Sequence, residues 1–435
     1  MTSDHGFRLP RLCLPAAGID LRKWAVVACD QYTSEPDYWE AIEREVGDAP
    51  STLRLIFPEV HLDEAGAAAR IARIQAAMRD YLARGLLVEH AGTVYVERRV
   101  GGRTRHGLML ELDLEHYDFA ADSSSLIRPT EGTIVERIAP RLAVRRGAML
   151  ELPHVMVLID DPEGTVIEPL TRERDALTPL YGTELMADGG HVEGRAVDAA
   201  RAARLVAALE ALAEPRAFAR RYRVPEGTPV MLFPVGDGNH SLATAKASWD
   251  EIKADADPGH PGRFALVEVV NIHDAALVFE PIHRLLFGVT VDLRAALSDA
   301  FGAALHWTEV ASAAAMRELV GKHARRFGLI GPGAHFSVGE IDGAQSTLGL
   351  DALQPFLDRL LEGPAIAEVD YIHGDDVLER LAQESGHAGL HLPALDKSEL
   401  LRRVVHKGPL PRKTFSIGEA NEKRCYIEAR RIVPD

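Results

Sequence analysis

With 435 residues, 46% hydrophobic and 26% charged, the chain carries enough apolar material for a large core, which argues against disorder as its main state and fits two or three domains or one large domain with an insertion. A formal charge of −16 with no basic block along the chain disfavours nucleic-acid and acidic-membrane partners. Met1 to Pro10 lacks a signal-peptide core, and nowhere do about 18 apolar residues run together, so a cytoplasmic location is expected. Cys13, Cys29 and Cys425 are too few and too far apart for a disulfide framework or a CxxC metal site and read as small buried thiols.

In chain order, the apolar run Trp24 to Cys29 predicts a strand that exits into Asp30, Gln31, Tyr32, Thr33 and Ser34, before a helix around Asp37 to Val46. Leu53 to Val60 predicts another strand, followed by a helix whose apolar face holds Ile71, Ile74, Met78 and Leu82. From Leu87 to Leu112, short β segments punctuated by Gly92, Gly101, Gly102 and Gly107 read as a hairpin or meander. Val155 to Ile159 predicts a strand closed by Asp160 to Gly164, with Val166 and Ile167 returning beside it as a second hairpin. Ala196 to Ala213 is alanine-rich and helical by propensity, and Pro229 to Val235 predicts a buried strand. After a glycine turn, Leu242, Ala245, Trp249 and Ile252 share one helical face, and Phe264 to Ile272 supplies a further central strand. From about Thr290 onward helices and strands alternate, as in Val291 to Phe301, Ala311 to Lys322, Phe327 to Ile330 and Lys397 to Val405. The expected fold class is α+β, with a core over 1–288, a C-terminal α/β lobe over 289–405, and terminal strands over 406–435 that return to the core.

The turn Gly236, Asp237, Gly238, Asn239, His240, Ser241 lies between an apolar strand and an amphipathic helix, where backbone N–H groups and the helix dipole favour an anion. Glycine there admits close approach of a phosphate. Asp237 suits a divalent cation or a substrate hydroxyl, and His240 suits a phosphate oxygen or a proton transfer. The competing reading is an Asx-type turn, with His240 capping or packing against the helix. The spacing matches neither a P-loop nor a dinucleotide-binding fingerprint.

Four further segments accompany the turn: Ser125 to Arg137 (SLIRPTEGTIVER), Leu150 to His154 (LELPH), Pro281 to Arg284 (PIHR) and Pro411 to Phe415 (PRKTF). With them the chain resembles the DUF1015 family of uncharacterised proteins along most of its length. In that family the turn reads Asp-Gly-His-His-Arg. That turn is in its own right similar to the ParB and sulfiredoxin-like superfamily, in which a strand-turn-helix cradles nucleotide phosphates and some members phosphorylate free serine. Asn239 and Ser241 depart from the pattern, the latter replacing an arginine that would hold phosphate bidentately. Arg128, Arg137, Arg284 and Lys413 are the cations that would restore the charge from elsewhere.

The resemblance implies a small-molecule phosphotransfer site, serine-kinase-like or phosphoserine-phosphatase-like, with Mg²⁺ and ATP or ADP as cofactors. Asp237, His240, Glu131 and Asp30 are the candidate catalytic groups, the last two as bases for an acceptor hydroxyl. Gly236, Gly238, Asn239, Ser241, Arg128, Arg137, His283, Arg284 and Lys413 are the candidate phosphate ligands. The partner would be a small phosphorylated or hydroxylated metabolite, and the reading leaves a homo-oligomer open. The alternative is a ligand-sensing protein that keeps a phosphate pocket without catalysis. Asp370, His373, Asp375 and Asp376 form a dense cluster that suits Mg²⁺ or a capped helix start. His154 and His191 read equally as cleft residues or turn closers.

Overall fold

The computed structural model describes residues 6–434 except 63, 322 and 343–348. Met1 to His5 and Lys322, at the edges of two sequence expectations, lie outside the described residues. The chain forms two compact units, 1–277 with 418–435, and 278–417.

The first unit is organised on a nine-stranded mixed sheet. Its central strand, Phe264–Asn271, is buried at every position. That strand runs antiparallel to Arg103–Asp113 on one side and parallel to Met156–Ile159 on the other. Six of its eight residues are apolar, as a strand covered on both faces requires, and the two polar ones are buried with partners, Glu268 on Arg424 and Asn271 on Asp161 O. Beyond Met156–Ile159 come Phe233–Asp237, antiparallel to it, and Ile127–Pro129, parallel to Phe233–Asp237. The hairpin Val94–Val100 with Arg103–Asp113 forms as expected, whereas Leu87–Ala91 pairs with Arg11–Pro15 instead of joining it. Helix Ala199–Leu212 begins where the Asp198 side chain accepts from Arg201 N, a conventional N-cap.

Three strand expectations fail for local reasons. Leu53 to Val60 is not a strand but two 3₁₀ turns, Thr52–Arg54 and Glu59–His61. Ser51 caps the first through Leu53 N, and Pro58 opens the second, so turn chemistry overrides an apolar run. Trp24 to Cys29 divides into a helical turn, Leu21–Trp24, capped by Asp20, and the two-residue strand Val26–Val27. Val166 and Ile167 make no hairpin return: the Asp161 carboxylate accepts from Thr165 N and Val166 N at 2.6 and 2.8 Å, and the chain enters helix Glu168–Arg172.

The second unit is a seven-stranded sheet in which the described pairings are all antiparallel, with Phe279–Phe287 beside Ala388–His391, Glu368–His373 and Phe415–Ile417. Two apolar clusters cover it. One is built around Leu297, Leu353 and Leu357, the other around Met316, Val320 and Leu378.

Candidate functional site

The parallel pair Ile127–Pro129 and Phe233–Asp237 keeps Phe233 opposite Ile127 and Val235 opposite Pro129, so both strands end together. Thr130 N and Oγ1 donate to Val235 O, the latter at 2.7 Å. Glu131 therefore follows its strand beside Gly236. Met156–Ile159 runs the other way, with Met156 opposite Asp237, which brings His154 and Val155 to the same edge.

Gly238 has φ +79°, and a Cβ added there would lie 2.9 Å from Val155 Cα. Both facts require glycine. Helix Asn239–Ile252 starts at once, with Ser241 N and Leu242 N donating to Gly238 O. Asp237 Oδ1 accepts from Gly238 N at 3.0 Å, and Oδ2 lies 3.1 Å from Lys423 Nζ. The Asn239 Oδ1 is buried without a hydrogen-bond partner.

His154, 8% exposed, stands at the centre of this edge. Its Nδ1 lies 2.7 Å from Tyr426 Oη, and its Nε2 lies 2.8 Å from Ser241 Oγ and 3.7 Å from Asp30 Oδ2. Tyr426 Oη accepts from Cys29 N at 3.1 Å, so its own proton points to His154 Nδ1. A neutral ring would then carry its hydrogen on Nε2, and a protonated ring presents one there as well, so in either form Nε2–H faces Ser241 and Asp30. Serine and aspartate share one ring nitrogen, which distinguishes the cluster from a Ser-His-Asp hydrolase triad, where they occupy opposite nitrogens. Burial opposes the Asp30 carboxylate, yet His154, the Gln31 amide and Lys423 overcome it and hold its pKa below the usual value. Glu59 shifts the other way: burial raises it, with Asp30 adding to the effect, although Arg141 lies 2.5 Å away.

The other sequence candidates are placed differently. His240 Nε2 accepts from Ile134 N at 3.1 Å, which ties the loop after Glu131 to the helix and commits that nitrogen as an acceptor. Arg128 is buried, and its guanidinium donates to the carbonyls of Ser124, Ser125, Pro229 and Val230. Arg137 is exposed in the turn Val135–Arg137. His283, Arg284 and Lys413 belong to the second unit, where Arg284, fully buried, donates to Ile282 O and Lys413 O. His191 pairs with Glu184 at 2.8 Å across a hairpin.

Sequence reasoning missed Lys423, Tyr426 and Arg424. The available signal was a Lys-Arg pair directly before the short apolar run Cys425, Tyr426, Ile427. Arg424 is 4% exposed, pairs with Glu268 and Glu428, and donates from Nε to Pro153 O at 2.9 Å. It thereby fixes the peptide that carries His154.

Of the acid/histidine cluster, Asp375 alone meets two imidazoles, His283 and His391. Asp370 accepts from Tyr371 N at 2.7 Å, and exposed Asp376 faces Arg317 at 3.3 Å. Among the described residues, His283, Asp375 and His391 form the one group with ligand atoms within 4.8 Å of one another. The Leu392 N–H donates to His283 Nδ1 at 3.0 Å. The neutral ring therefore holds its proton on Nε2, the atom a metal would need.

A family model described as "Protein of unknown function (DUF1015)" matches residues 13–359. No curated protein matches the chain. Among solved structures, a conserved hypothetical protein from Pyrococcus furiosus is similar at 12% identity, over 75% of this chain and 93% of that one, with a TM-score of 0.35. A free serine kinase in complex with AMP is similar at 11% identity, over 75% and 91%, with a TM-score of 0.36. SbnI with a C-terminal truncation, from Staphylococcus aureus, is similar at 13% identity, over 72% and 87%, with a TM-score of 0.36.

Proposed function

The chain belongs to the DUF1015 family of proteins of unknown function, and we propose that its first unit carries a small-molecule phosphotransfer site, serine-kinase-like or phosphoserine-phosphatase-like, at the Gly236 to Ser241 turn. One observation carries the reading. At the start of helix Asn239–Ile252, Lys423 Nζ lies 3.1 Å from Asp237, while the Asp30 carboxylate faces His154, itself 2.8 Å from Ser241.

A helix N-terminus and a lysine together suit phosphate oxygens, and Lys423 supplies the positive charge that Ser241 omits. A carboxylate kept ionised beside a serine hydroxyl and an imidazole N–H suits an acceptor hydroxyl. Asp30 takes its proton as the new P–O bond forms and the bond from phosphorus to the donor's bridging oxygen breaks, the donor leaving one phosphoryl group shorter, and His154 Nε2–H orients the acceptor oxygen. With water as acceptor the same groups serve hydrolysis of a phosphomonoester.

The donor set fits nucleotide phosphates. For Mg²⁺, Asp30 and Asp237 are the carboxylates able to ligate it beside phosphate oxygens and water, and it would supply charge neutralisation there. The binding-only alternative is favoured by His240, whose Nε2 is committed to Ile134 N–H.

Calorimetry with ATP, ADP, AMP, serine and phosphoserine, with Mg²⁺ present, tests the proposal together with turnover assays. Phosphotransfer requires binding that Lys423→Met abolishes, and turnover that Asp30→Asn abolishes while leaving binding intact. Binding without turnover by the wild type selects the sensing alternative. No binding of any of these ligands sinks both readings.

A further inference from the structure

In the second unit, His283 and His391 share one carboxylate oxygen. Their Nε2 atoms lie 2.9 and 3.1 Å from Asp375 Oδ1, and the rings stack with centroids 4.5 Å apart. Both residues are buried, at 0% and 6% exposure. His283 lies on strand Phe279–Phe287, His391 ends its antiparallel neighbour Ala388–His391, and Asp375 opens helix Asp375–Ala382. A single carboxylate thus ties two strands to one helix.

The tautomer is set from the far side. Leu392 N–H donates to His283 Nδ1 at 3.0 Å, so Nδ1 must carry a lone pair and Nε2 the proton. A divalent ion would need that Nε2 lone pair, so the group does not read as a metal site. His391 Nδ1 is buried without a hydrogen-bond partner.

We infer that His283, Asp375 and His391 form a proton-operated latch: a proton taken up from solvent at His283 Nδ1 sets N–H against the Leu392 N–H, breaks that bond, and frees the end of Ala388–His391 and helix Asp375–Ala382 from Phe279–Phe287.

The surrounding charges are mixed. Asp375, Asp376 and Glu379 come from the helix, with Arg317 bridging to Glu379 at 2.8 Å and reaching Asp375 at 3.9 Å. Arg284 neighbours His283 on its own strand, His391 faces it from Ala388–His391, and His373 lies opposite Ile282 on Glu368–His373. Burial lowers the His283 pKa more than Asp375 raises it, and His391 and Arg284 add to the lowering. The unfolded chain accepts the proton near an ordinary histidine value of about 6.5. The folded unit resists it. The latch's contribution is therefore complete above that value and is lost as pH falls below it.

Hydrogen exchange of the full-length chain tests this at about pH 7.5 and about pH 5.5, with exposure times scaled for the intrinsic rate, and one proton per opening gives up to about tenfold more opening per pH unit. In the wild type, segments 375–382 and 388–392 lose protection at the lower pH while 264–271 does not. His283→Asn places an oxygen where Nδ1 stood, keeps an acceptor for Leu392 N–H and cannot titrate, so the same segments become insensitive to pH. Asp375→Asn removes the carboxylate that favours the protonated ring, so opening stays acid-dependent within the same one-proton limit. Unchanged wild-type protection, or a His283→Asn variant that opens like the wild type, overturns the latch. So does protection of these segments by zinc at about pH 7.5 that a chelator reverses, since a metal would need the Nε2 lone pair. If His283→Asn does not fold, Asp375→Asn decides: with His283 still able to titrate, opening must still rise with acid, and a response independent of pH overturns the proposal.

Discussion

Lys423 Nζ sits 3.1 Å from Asp237 Oδ2, across 186 residues of sequence. The lysine side chain is 9% exposed and the aspartate 27%, so each partner is the other's main charge compensation. Replacing Lys423 by methionine keeps the aliphatic stem and removes the charge. The expected result is a loss of about 1–3 kcal/mol in urea unfolding, from the unpaired carboxylate, together with at least about tenfold weaker phosphate-ligand binding by calorimetry. Unchanged affinity would remove Lys423 from the site.

Gly238 is held at φ +79° with Val155 Cα 2.9 Å from where a Cβ would go. A left-handed non-glycine residue costs about 1–2 kcal/mol and overpacking about 1–3 kcal/mol. Gly238→Ala is expected to lower stability by about 2–5 kcal/mol and to shift the helix start, read as a lower urea midpoint and lost ligand binding. A near-neutral result would show that the Val155 strand edge yields easily.

Tyr426 Oη serves two partners, Cys29 N–H and His154 Nδ1. Tyr426→Phe leaves both buried groups unsatisfied, at about 1–3 kcal/mol each. We expect a lower urea midpoint at unchanged m-value. His154 also loses the bond that fixes its tautomer, so any turnover should fall more than binding does.

Asp30 gives a pH prediction. Its folded pKa is depressed: burial opposes ionisation, but His154, Gln31 and Lys423 outweigh it. The stabilisation is present above the unfolded aspartate value of about 3.9 and is lost as pH falls through the lower folded value. The stability gap between wild type and Asp30→Asn should therefore narrow on acidification below about pH 4, measured by urea titration at stepped pH. A gap independent of pH would mean that the carboxylate's charge contributes nothing. In a turnover assay the same variant should lose about 100-fold or more.

Glu268 is 1% exposed and pairs with Arg424, with Arg105 Nε 3.6 Å away. Breaking a buried pair from one side costs about 3–5 kcal/mol. Glu268→Gln is expected to lose that much and to disturb the site indirectly, because Arg424 also holds Pro153 O. Thermal unfolding and ligand calorimetry on the same sample separate the two effects.

The sequence by itself determined the succession of strand, turn and helix ending at Ile252, although the strand expected over Pro229 to Val235 runs Phe233–Asp237, because hydrophobic period, a glycine turn and helix propensity all act within a few residues. The buried central strand Phe264–Asn271 and the capped helix Ala199–Leu212 were legible for the same reason. The sequence also marked Asp30, at a strand exit, and Glu131, beside Arg128, as candidate bases. It misread Leu53 to Val60, where Ser51 and Pro58 impose turns on an apolar run. Tertiary structure alone decided which cation faces Asp237, since Arg128 turns to four backbone carbonyls and Lys423 arrives from the C-terminal segment. It also decided the tautomers of His154 and His283, which depend on Tyr426 and Leu392, 272 and 109 residues away. Hydrogen-bond direction and charge pairing are properties of neighbours in space, and chain closure over such separations leaves no periodicity in the sequence to read.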